Sequence, residues 1–106
     1  MNIEFAAKGP TPSDALKERV ENKLTKIEQR LGQQLYARVR FGEAANGHYS
    51  CSVHFNGAGH EFTADATAAD LFKAADEALN KIERQVRKAQ TRHDAQRSQT
   101  IRGAIQ

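Results

Sequence analysis

Three of the four histidines, His48, His54 and His60, recur every six residues, a spacing that raises the question of a metal. On one extended strand His48 and His54 would stand about 20 Å apart at ~3.3 Å per residue, too far to share an ion. No Cys or carboxylate spacing of a zinc site accompanies them. They read as surface or turn histidines, and no metal site is expected. Cys51 alternates with Tyr49 and Val53 on the inward side of a strand, where a thiol is usually a small core hydrophobe rather than a nucleophile. Gly57-Ala58-Gly59 lies between two strands, not ahead of a helix, so it reads as a turn and not as a phosphate loop. These residues predict no catalytic site, no cofactor and no small-molecule substrate.

The basic residues are patterned differently. Over Asp70 to Arg92, Leu71, Ala75, Leu79, Ile82 and Val86 form one helical stripe. At about 100° per residue, Lys73, Lys81, Arg84, Lys88 and Arg92 gather on an arc opposite or flanking it. Asp76 and Glu83 fall on the other flank. An earlier helix repeats the feature: Arg19, Lys23, Lys26 and Arg30 line one flank of its stripe, with Glu18, Glu21 and Glu28 elsewhere. A solvated face is the bland reading of either stripe alone. Two stripes on the same side of their apolar faces favour a surface for a polyanion. Exposed aromatic content is low and no RNP-like segment is present, so phosphate contact with structured RNA fits better than base stacking.

The elements that must hold these stripes follow from periodicity. Ile3, Phe5 and Ala7 share one side of a first strand, which Lys8-Gly9-Pro10 ends. Thr11-Pro12-Ser13-Asp14 predicts a helix start with Pro at the first helical position. Leu16, Val20, Leu24, Ile27 and Leu31 form its stripe, and Gly32 is the expected C-cap. Leu35 to Phe41, Tyr49 to Phe55 and Phe62 to Ala66 alternate as three further strands. Thr67 and Asp70 predict a T-x-x-D start for the long helix. The expected fold is α+β, β-α-β-β-β-α: a four-stranded sheet, strands two to four an antiparallel meander, with both helices on its one apolar face. Arg38, Arg40, His48, Ser50, Ser52 and His54 would meet solvent on the other. Residues 1–92 are expected as the folded domain, and 93–106 as a flexible polar tail.

With 106 residues, 39% of them hydrophobic, the chain predicts one domain with a modest core. Its net charge of +3 is unevenly placed: residues 1–70 hold 8 basic and 9 acidic groups, residues 71–106 hold 8 and 4. The excess can therefore act as a local field on an anionic partner. A lone cysteine, no signal peptide and no apolar run of ~20 residues lead to the expectation of a cytoplasmic protein without membrane contact.

The blocks D-L-F-K-A-A-D and N-K-I-E-R-Q-V-R-K in the second helix resemble the bacterial ribosome hibernation promoting factors and ribosome-associated translation inhibitors. T-P-S-D-A-L and K-L-T-K-I-E in the first helix, and the N-I opening strand, support the likeness over roughly residues 1–92. The resemblance implies a fold like the double-stranded RNA-binding domain with an extra strand. It implies binding to the small ribosomal subunit and its ribosomal RNA, in the channel of messenger and transfer RNA, idling ribosomes under stress or in stationary phase. Matching the family's basic positions are Lys23, Lys26, Lys81, Arg84, Arg87, Lys88 and Arg92; the first-helix stripe adds Arg30. Phe72 stands where Tyr is common. The long forms' C-terminal dimerisation domain is not seen, so that route to ribosome pairing is not expected, and pairing and simple blocking of ribosomes both stay open; the free protein is expected as a monomer. Two other classes compete. A small acylphosphatase-like enzyme would need a final strand after the second helix. An oligomeric α+β scaffold without RNA binding would use the basic stripes only for solubility.

Overall fold

The computed structural model describes the side chains of residues 2–32, 34–57 and 59–89. The expected tail over 93–106, the boundary at residue 92, Arg92 and the turn residue Ala58 lie outside the described residues. In chain order the elements are β1 (Asn2–Ala7), α1 (Asp14–Leu31), β2 (Tyr36–Glu43), a 3-10 turn (Ala45–Gly47), β3 (Tyr49–Gly57), β4 (His60–Ala68) and α2 (Leu71–Ile105). One sheet takes the order β1-β2-β3-β4. β1 runs parallel to β2, as a strand-helix-strand crossover requires. The other pairs are antiparallel, with Phe41 opposite Cys51, Val39 opposite Val53, and Val53 opposite Ala64.

Alternation sends Ala37, Val39, Phe41, Cys51, Val53, Phe55, Phe62, Ala64 and Ala66 to one face, all buried. Leu16, Val20, Leu24 and Ile27 of α1 cover them, with Leu31 only partly buried. The contribution of α2 is wider than its large apolar residues predict. Ala74 and Ala78 are fully buried beside Ala75, Leu79, Ile82 and Val86, while Leu71 is only partly covered. α2 packs on β3 and β4, and the buried alanines on its inner face let the helix backbone come close to the sheet.

The helix starts differ from the expected ones in detail. Ser13, not Thr11, caps α1: its hydroxyl accepts from the Leu16 N–H at 3.2 Å, which leaves Pro12 ahead of the cap. Asp70 caps α2 itself, accepting from the Lys73 N–H at 2.8 Å, while Thr67 lies within β4. A short connection leaves no residues for the longer capping box. Gly32 ends α1 as expected, with φ 68° and its N–H bonded to the carbonyls of Glu28 and Gln29. Gly57 ends β3 for a different reason: a Cβ there would stand 2.3 Å from Leu35 Cδ2.

Candidate nucleic-acid interface

α1 and α2 lie side by side over the sheet and run in the same direction. Arg19 meets Asp76 early in both helices, and Arg30 meets Glu83 further along both. The apolar stripe of α1 faces the sheet, so its basic flank is turned toward α2. Lys23, Lys26, Ile27 and Arg30 form one wall of a shallow groove of about 240 Å³, with Leu79 and Glu83 on the other.

What faces the α1 cations is the acidic flank of α2. Arg19 donates from Nε and Nη2 to the two carboxylate oxygens of Asp76, each at 2.9 Å, a bidentate clasp that only a guanidinium can make. Lys23 Nζ lies 3.7 Å from the same carboxylate. Glu83 is shared by Arg30 at 3.9 Å and Arg87 at 3.0 Å. The Arg19 hydrogen bonds hold Asp76 below the usual carboxylate range, with Lys23 adding to the effect against partial burial. Arg19 is raised in turn by Asp76. Four basic side chains thus meet two carboxylates along the seam. Lys26, exposed in the middle of the α1 row, has no partner among the described residues.

The sequence places Asp76 and Glu83 away from the α2 arc, and the structure does so too. Sequence reasoning missed that these carboxylates are spent on the other helix's stripe. Arg87, marked by family likeness alone, belongs to this seam rather than to the outer arc. On the outer arc Arg84 and Lys88 are exposed and without partners among the described residues. Glu77 is exposed on the same arc, one turn from both Lys73 and Lys81. The same 3.6-residue count that gathers the cations would have found it. Lys81 is turned aside, its Nζ donating to the Asp65 carbonyl of β4 at 2.7 Å.

The open sheet face is less basic than its two arginines suggest. Tyr36 donates to Glu4, and Arg38 Nη2 lies 3.5 Å from the same carboxylate. Tyr36 first and Arg38 second hold Glu4 below the usual range. His54 Nε2 is 2.7 Å from Glu61 Oε1, without hydrogen-bond alignment. Burial, with the Asp65 charge as a lesser cause, pushes the Cys51 thiol up to about 12, the state of an inert core thiol. No helix among the described residues is long and apolar enough to cross a membrane.

This architecture is similar to two solved structures. The N-terminal domain of Protein Y from Thermus thermophilus matches at 26% identity and a TM-score of 0.74, covering 83% of this chain and 98% of that one. A ribosomal subunit interface protein from Coxiella burnetii matches in fold at 24% identity and a TM-score of 0.75, over 86% and 99% of the two chains. No curated protein sequence matches the chain. The model of one family covers residues 3–94, taking in α1, the first part of α2 and both basic stripes together: the chain belongs to the sigma 54 modulation protein / S30EA ribosomal protein family.

Proposed function

We propose that this protein is a non-enzymatic, cytoplasmic regulator that binds the small ribosomal subunit through its helix layer. It contacts ribosomal RNA in the channel used by messenger and transfer RNA, and idles ribosomes under stress or in stationary phase. Membership of the S30EA ribosomal protein family supports the partner. The observation that carries the surface is the exposed set Lys26, Arg84 and Lys88, which no described side chain neutralises. Arg84 and Lys88 are one turn apart, about 6 Å along the axis, a step that successive phosphates can follow. Arg84 can hold a phosphate with two parallel hydrogen bonds.

The test is a salt titration of binding to small subunits, comparing the parent with a Lys26→Gln, Arg84→Gln, Lys88→Gln variant. All three residues are exposed, so stability should change by no more than about 0.5 kcal/mol each. Affinity should fall, and the slope of log affinity against log salt should flatten by roughly 0.7–0.9 for each lost phosphate contact. Equal affinity and slope would reduce these cations to a solvated face. The channel has its own arm: saturating messenger RNA and initiator transfer RNA should displace the protein, and undiminished binding would exclude that location.

A further inference from the structure

β4 is an outer strand of the sheet. In an antiparallel pair, alternate residues turn their N–H and C=O groups outward, away from the partner strand. On β4 two of the outward carbonyls are already occupied. Lys81 Nζ donates to the Asp65 carbonyl and Gln85 Nε2 to the Thr63 carbonyl, both at 2.7 Å. The match is geometric. Four residues of helix rise about 6 Å, and two residues of strand advance about 6.8 Å. Donors one turn apart on α2 therefore fall in step with carbonyls two residues apart on β4. Ala74 and Ala78, fully buried, let α2 sit low enough for these side chains to reach the edge.

An uncovered strand edge is a template for another strand, and long side chains laid over it prevent that pairing. The sequence of β4 also fits a partner. Antiparallel pairing of two copies about Ala64 puts Thr63 opposite Asp65 and Glu61 opposite Thr67 on the polar face. It puts Phe62 opposite Ala66 on the core face. A shift of two residues either way sets Glu61 against Asp65, or Asp65 against its own copy, and like charges directly opposite repel. Of these three registers, only the one about Ala64 is free of acidic pairs, and it alone pairs the whole length of β4.

We propose that β4 is a pairing edge for a second copy of this chain, held shut by Lys81 and Gln85. The inference is independent of the ribosome reading and assigns Lys81 a task that its place on the basic arc does not reveal. The experiment is sedimentation velocity over a concentration series for the full chain and a Lys81→Met, Gln85→Met variant. Methionine keeps the apolar stems and removes both donors. The parent should stay monomeric while the variant dimerises, with slowed amide exchange at Thr63 and Asp65 in the dimer. A folded variant that stays monomeric overturns the proposal. So does a dimer without protection at those two amides, or a parent that already dimerises. A Lys81→Ala, Gln85→Ala variant guards against an artefact of methionine. If neither variant folds, the two side chains hold the structure rather than an edge, and the proposal is equally overturned.

Discussion

If the helix layer binds ribosomal RNA as proposed, replacing Asp76 with Asn should strengthen that binding rather than weaken it. The reason lies in the seam: Asp76 accepts from Nε and Nη2 of Arg19 and lies 3.7 Å from Lys23. The amide would keep the shape of the carboxylate, remove one negative charge from the seam, and loosen both cations toward solvent. If each then finds a phosphate, the salt slope should steepen by about 0.7–0.9 per cation, 1.4–1.8 for the two. The loss in stability is bounded by exposure. The Arg19 side chain is 51% accessible and Asp76 29%; pairs at such sites typically contribute about 0.2–1 kcal/mol, and bidentate geometry puts this one at about 1 kcal/mol. For a domain of this size that is a fall in Tm of about 4–8 °C. Small-subunit affinity measured at several salt concentrations, with thermal melts beside it, reads both quantities. Weaker binding at an unchanged slope would refute the reasoning. Asp76 would then be positioning Arg19 for its target, and the clasp would be part of the bound geometry.

The acid response follows from the same pair. Because Asp76 is held below its unfolded value, its stabilisation is in place above the ordinary carboxylate range and is lost as pH falls through its lower folded value. The parent should therefore lose stability more steeply in that acidic window than Asp76→Asn, and parallel acid titrations would rule the linkage out. Gly57→Ala should destabilise by about 1–3 kcal/mol in urea melts, since the added methyl meets the buried Leu35 side chain at 2.3 Å; an unchanged midpoint would mean that Leu35 can move aside at no cost. Cys51, fully buried and with its thiol pushed up to about 12, should resist iodoacetamide at pH 8, where only roughly one thiol in ten thousand is ionised. Rapid modification of the folded protein would show that the β3 core opens.

The fold was legible because two periods are strong in this sequence and each has a single solution. Leu16, Val20, Leu24 and Ile27 can be buried together only on a helix, and Cys51, Val53 and Phe55 only on a strand. The capping detail was not, because Thr11 and Thr67 satisfy the same statistical preferences as Ser13 and Asp70, and only the length of the connections decides between them. The charged residues divide along the same line. A helical wheel fixes which flank of its own helix a side chain occupies, and it assigned Lys26, Arg84 and Asp76 to the correct flanks. It contains nothing about the neighbour across the gap. Asp76 neutralises a stripe 57 residues away in sequence, and Lys81 bonds to a carbonyl of a strand rather than projecting with Arg84. Both facts depend on α1 and α2 running parallel and on α2 lying low over β4. The low position is set by Ala74, Ala75 and Ala78, residues too small to register as a stripe. The same small side chains that escape a hydrophobicity pattern thus decide which cations of α2 remain available. By that geometry the available ones among the described residues are Lys73, Arg84 and Lys88, on the side of the helix turned away from the sheet edge and from α1.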